Sequence, residues 1–108
     1  MKWGRFLPAL EEPGLLALAG SNPDVTVVGY LLGGGLSWFA RLRGYAVHTW
    51  RAAEIVDAEG RLRWVSDEND PELMWALRGG GGDLAIAAMG QLCAQHAQLD
   101  ERPAGCPI

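Results

Sequence analysis

An α+β fold, a small and largely antiparallel sheet with flanking helices, is predicted by three features of the sequence. Two alternating stretches flank a glycine-containing loop, which is a hairpin pattern. A capped helix follows them. The remaining strand-like and helix-like segments alternate irregularly, which disfavours a doubly wound parallel sheet. The 108 residues suffice for one domain, and 49% of them are hydrophobic, so the chain can collapse around a core.

Taken in order, Phe6, Leu7 and Leu10 can face one side of a short helix closed by Pro13-Gly14. Leu15 to Ala19 is a short apolar run, read as a buried strand, although its periodicity also allows a helix. Ser21-Asn22-Pro23-Asp24 is a turn. Val25 to Val28 is β-branched and leads through Gly29 into the triple glycine Gly33-Gly34-Gly35, which is expected to open a helix over Leu36 to Arg43. Arg41 and Arg43 suit that helix's negative end, and Gly44 suits its cap. Ala52 to Asp57 and Arg61 to Val65, joined by Ala58-Glu59-Gly60, form the predicted hairpin. Asp70 caps a helix running through Leu77, with Pro71 in its first turn. Trp75 is expected on its apolar side. Gly79 to Gly82 make a turn, Leu84 to Ala88 a last strand, and the pattern weakens from Gly90 onward.

The net charge is -4, and the nine Lys and Arg residues form no basic stripe, which argues against nucleic acid as a partner. The uncharged run from Val25 to Ala40 is glycine-rich and short of the roughly 20 residues a spanning helix needs, so no membrane partner is expected. No signal peptide is recognisable, and a soluble, cytoplasmic protein is the expectation. Cys93 and Cys106 lack metal-ligand spacing, so no metal site is expected; they could form one disulfide.

Fifteen glycines are many for this length, and they cluster. Gly29 to Gly35, if it enters a helix, can present backbone N–H groups to a phosphate; the competing reading is a tight packing turn. It is neither a dinucleotide fingerprint, since Trp38 stands where the third glycine belongs, nor a P-loop. Gly79 to Gly82 reads as a hinge or a close ligand approach. His48 has no nucleophile or base arranged around it, and Ser37 fails the nucleophile-elbow pattern, so no catalytic residue is assigned.

The ordered set Gly20-Ser21-Asn22-Pro23-Asp24-Val25, Val28-Gly29-Tyr30-x-Leu32-Gly33-Gly34-Gly35, Arg41-x-x-Gly44, Ala53 to Leu62, and Asn69-Asp70-Pro71-Glu72-Leu73-x-Trp75 through Asp83 resembles the FAD-linked oxidases of the p-cresol methylhydroxylase and vanillyl-alcohol oxidase superfamily, in their berberine-bridge-enzyme-like branch. The resemblance runs from about Gly14 to Ala88. It implies a partial flavin-binding domain, the second subdomain, over residues 14–88, after a lead of residues 1–13 and before an atypical tail of residues 89–108. It implies FAD as cofactor and an FAD-dependent oxidoreductase as the parent activity, with the flavin as hydride acceptor. The contacts it implies are Gly20, Ser21, Asn22, Val25, Val28, Gly29, Gly33, Gly34, Gly35, Gly82 and Ile86.

Relatives that tether FAD through a cysteine in the turn before the triple glycine have it where this chain has Asn22, so no cysteinyl link is expected. Thr26 stands where many relatives have glycine. The first flavin subdomain, with its histidyl attachment site, and the substrate domain have no counterpart here. The expectation is therefore a fragment, inactive by itself; a truncated or frame-shifted gene is one hypothesis for its origin. Its partners would be FAD and either a missing flavin subdomain or a second copy. A non-enzymatic α+β interaction module is the competing reading.

Overall fold

The computed structural model describes residues 1–92 and 95–96. Cys93, Cys106 and most of the atypical tail lie outside the described residues. The elements are α1 (Trp3–Phe6), α2 (Pro8–Glu11), β1 (Leu15–Leu16), α3 (Val27–Leu32), α4 (Ala40–Arg43), a 3-10 turn (Ala46–Thr49), β2 (Trp50–Val56), β3 (Leu62–Ser66), α5 (Pro71–Leu77), β4 (Ile86–Leu92) and β5 (Gln95–His96). A three-stranded antiparallel sheet in the order β3-β2-β4 carries the core, and β1 and β5 form a separate two-stranded ladder. This is the α+β architecture that the sequence predicts.

The hairpin forms where alternation placed it, with Ala52 opposite Ser66 and Val56 opposite Leu62. Trp50, Ala53 and Ile55 point into the core. The turn is closed by Asp57, whose carbonyl accepts from Gly60 N–H at 3.0 Å and whose carboxylate accepts from the N–H groups of Glu59 and Arg61. Gly60 takes φ +77, the left-handed position that such a loop demands. At α5, the Asp70 carboxylate accepts from Leu73 N–H at 3.2 Å, as the cap predicts.

Four expectations are corrected. Val27 and Val28, although β-branched, are helical: Val27 and Leu31, one turn apart, bury together, and this packing outweighs a β-branched preference worth a fraction of a kcal/mol. The N-terminal strap fixes that helix's start, with Val27 N–H donating to the Met1 carbonyl at 3.0 Å and Trp3 N–H to Val25. The triple glycine therefore closes α3 and does not open the next helix. Of the helix expected over Leu36 to Arg43, only Ala40–Arg43 is helical. The Ser37 hydroxyl accepts from Phe39 N–H at 3.0 Å and holds a turn in its place. Trp75 is 77% exposed, because α5 buries Met74 and Leu77, and position 75 lies across the helix from Leu73 and Leu77. Finally, β4 runs through Gly90 to Leu92, so the sheet crosses the boundary drawn at Ala88.

Arg78 ties the end of α5 to the sheet. Its guanidinium donates to the Trp50 carbonyl at 2.7 and 3.2 Å and to the Asp67 carboxylate at 2.7 and 2.8 Å. The hydrogen bond from Arg78 holds the Asp67 carboxyl below its usual range, against a smaller opposing effect of burial. Asp57 is likewise lowered, first by the Arg61 backbone N–H. Carboxyls depressed in the folded state stabilise it above the ordinary carboxylate range, about pH 4, and that contribution fades as pH falls through the depressed values. The melting midpoint should be flat from pH 5 to 8 and fall below about pH 4. Asp67→Asn should lower the neutral-pH midpoint and shrink the acid-side drop. An acid-side drop as steep in the variant as in the parent would refute this assignment.

Candidate cofactor face

The ring of Tyr30 organises the glycine-rich end of α3. Its hydroxyl donates to the Leu18 carbonyl at 2.9 Å, and its edge meets Trp3 at a centroid distance of 5.3 Å. Burial raises its pKa, so the phenol stays protonated and acts as a donor. A Cβ on Gly20 would come within 3.2 Å of this ring, and one on Gly35 within 2.8 Å of it and 2.7 Å of the Ala46 methyl. The chain's own packing thus requires Gly35 to be bare, and a Cβ on Gly20 would need the Tyr30 ring to give by a few tenths of an ångström. Tyr30 was quoted in the sequence motif, but nothing in the spacing of residues 20, 30 and 35 showed that they meet.

The two glycine clusters come together. Gly81 N–H donates to the Leu32 carbonyl at 2.9 Å, and a Cβ on Gly79 would lie 3.6 Å from the Gly34 Cα. Gly34, Gly79 and Gly81 have positive φ, and a Cβ on Gly80 would strike the Ala76 carbonyl. These positions need glycine for the backbone itself. Gly33 and Gly82 do not. Gly33 is exposed, has φ -85, and a Cβ there would find only ordinary contact at 3.6 Å; Gly82 is exposed, lies outside the positive-φ set, and has nothing within 4 Å of a Cβ. They follow Leu32 and Gly81, the two residues joined by the bridging hydrogen bond, so the two unexplained glycines flank one contact.

The other predicted contacts spread around this junction. Gly29 lies on the exposed side of α3, where a Cβ would meet the Thr26 hydroxyl at 2.7 Å. Ser21, Asn22 and Val25 are exposed on the turn before α3, where the Asn22 side chain accepts from Asp24 N–H at 2.9 Å. Gly20 and Ser21 face Leu36, Ser37 and Trp38 across a shallow cleft of about 310 Å³. Val28 borders an apolar cleft beside β4, and Ile86, 72% exposed, lies with Gly82 near the hairpin turn. The structure therefore joins the two glycine runs and sets Ile86 beside Gly82, but leaves Val28 on another wall. His48, which sequence reading set aside, lines a recess with Trp75, Arg78, Gly79 and Leu84.

The electrostatics of the junction argue against a diphosphate there. Gly33 caps the C-terminal end of α3, where the helix dipole is negative, so the phosphate cradle expected from a helix opening is not built. Arg78, the cation beside the glycine run, is committed to Trp50 and Asp67. Among the described residues no helix is long and apolar enough to cross a membrane, and no group of His, Cys, Asp or Glu could hold a metal ion.

No protein-family model matches the chain. An FAD-dependent monooxygenase of Cochliobolus heterostrophus is 39% identical over 85 residues, which cover 79% of this chain and 16% of that protein. The crystal structure of a glucooligosaccharide oxidase from Acremonium strictum superposes with a TM-score of 0.83 at 29% identity, over 88% of this chain and 20% of the oxidase. The oxidase has a 6-S-cysteinyl, 8α-N1-histidyl FAD. The BBE-like 1 protein of Physcomitrella patens shares the fold, with a TM-score of 0.82 at 24% identity over 89% of this chain and 21% of that protein. The chain spans about a sixth of the length of the curated relative it matches. By sequence and by fold, the chain belongs to the FAD-linked oxidoreductases of the vanillyl-alcohol oxidase and p-cresol methylhydroxylase family, which includes berberine-bridge-enzyme-like proteins.

Proposed function

We propose that this chain forms one lobe of an FAD-binding domain, the second flavin subdomain of an FAD-dependent oxidoreductase, and that Gly33 and Gly82 mark where the uncharged part of the cofactor lies. The observation that carries this reading is that neither glycine is required by the chain's own backbone or packing, yet both flank one loop-loop contact. A missing Cβ with open space before it lets an outside group approach the main chain. When bound, FAD would supply a hydride acceptor for substrate oxidation. The chain's own share is to hold the glycine loops rigid through Tyr30 and the Leu32–Gly81 bridge, and to exclude water from one face. None of its side chains is assigned as a proton-abstracting base. With Asn22 in the turn before α3, a cysteinyl tether from that position is not available, so attachment there would be non-covalent.

A single lobe makes half of a clamp, and ordering its loops costs roughly 1–2 kcal/mol per residue, so free FAD should bind this chain weakly. Titrating the isotopically labelled chain with FAD to millimolar concentration should shift amide resonances of residues 29–35 and 79–83. Gly33→Leu and Gly82→Leu should abolish those shifts and leave the thermal midpoint nearly unchanged. Shifts confined to other surfaces, or a titration indifferent to both substitutions, would overturn the placement.

A further inference from the structure

The family motifs begin at about Gly14, yet residues 1–4 lie against both segments that carry the candidate contacts around α3. The strap runs antiparallel to residues 23–27, with Lys2 opposite Thr26. Val27 N–H donates to the Met1 carbonyl and Trp3 N–H to the Val25 carbonyl, each at 3.0 Å, and Gly4 N–H donates to the Pro23 carbonyl at 2.9 Å. The turn holds itself less firmly: the Asn22 side chain accepts from Asp24 N–H at 2.9 Å, and the bond from Val25 N–H to the Asn22 carbonyl is long, at 3.4 Å. Trp3 is 1% exposed and meets the Tyr30 ring edge-on at 5.3 Å. Tyr30 in turn occupies the space that a Cβ on Gly35 would need. A Cβ on Gly4 would lie 3.0 Å from the Pro23 Cβ and 3.3 Å from its carbonyl oxygen. Gly4 is not among the glycines of positive φ, so its bareness serves close approach to Pro23 and not a strained backbone.

We propose that Trp3 and Gly4 are positioning residues for the cofactor face. Trp3 sets the triple glycine through Tyr30, and Gly4 sets the turn of Ser21, Asn22 and Val25 through Pro23. A binding surface keeps its geometry only when the groups behind it are locked by packing and hydrogen bonds. A loop fixed beforehand also spares a bound group the cost of ordering it. The identity of the bound group rests on the flavin reading; the control of the two loops by the strap does not.

Three variants of the full chain separate positioning from stability: Trp3→Phe, Gly4→Ala and, as a control for lost core packing, Val65→Ala, which lies in the same core but on β3. Without FAD, Trp3→Phe should shift the amide resonances of Gly34 and Gly35, and Gly4→Ala those of Asp24 and Val25. Val65→Ala should lower the melting midpoint and move neither set. With FAD, at a temperature where every chain is folded, the concentration giving half of the shift at Gly33 and Gly82 should rise several-fold in the Trp3 and Gly4 variants. It should stay at the parent value in Val65→Ala. Unmoved loop amides in the two strap variants overturn the proposal, and so does an FAD response no weaker than that of Val65→Ala. A parent chain indifferent to FAD overturns the flavin reading alone, and the FAD-free shifts then still decide whether the strap sets the loops.

Discussion

Gly35→Ala should lose most of the chain's stability, while Gly33→Ala, two residues away, should lose almost none. At Gly35 the backbone has φ +70, and the added methyl would lie 2.7 Å from the Ala46 Cβ and 2.8 Å from the Tyr30 ring. The left-handed conformation costs an L-residue about 1–2 kcal/mol. Overpacking a filled site adds about 1–3 kcal/mol. Tyr30 cannot swing away without breaking its bond to Leu18 and its contact with Trp3. The sum, roughly 2–5 kcal/mol, is comparable with the whole stability of a marginal domain. At Gly33 the backbone is ordinary and the added methyl is solvent-facing. Urea denaturation of the two variants side by side checks the contrast. Equal midpoints would show that Gly35 is not packed as described.

Gly90→Ala is the second large effect, an expected loss of about 1–3 kcal/mol from overpacking. A Cβ at this position would sit 2.6 Å from the Trp50 indole nitrogen, and Trp50 is fully buried. The ring is held by β2, and its carbonyl is held by Arg78, so the strands must part to admit the methyl. Near-ultraviolet circular dichroism should change along with the denaturation midpoint. In a Trp50→Phe background the smaller ring vacates the contact, and the Gly90→Ala increment should shrink. An undiminished increment would mean that the clash lies with something other than the indole. Among the described residues the buried indole N–H of Trp50 has no hydrogen-bond partner.

The elements legible in the sequence were those whose signals are local. The hairpin needed only alternation and a glycine at the turn; α5 needed only Asp70, Pro71 and a helical run. The family resemblance was legible for a related reason, because it rests on the order and spacing of short motifs. Local signals misled where packing outweighed them. Val27-Val28 is β-branched, yet the partners of Val27 and Leu31 in the core make it helix. Trp75 read as core because it was placed on the apolar side of its helix, and the helix turned it to solvent. Gly90 read as the start of an alien tail, although it fits β4 against Trp50.

The glycines divide along the same line. By itself the sequence determined that this is an α+β chain with bare backbone at residues 33–35 and 79–82, since composition and pattern are properties of the string. Only the tertiary structure decided which of those bare positions serve the fold and which face outward. A Cβ is permitted or forbidden by atoms far away in sequence, such as Tyr30 and Ala46 against Gly35, and it is their placement in space that leaves Gly33 and Gly82 open.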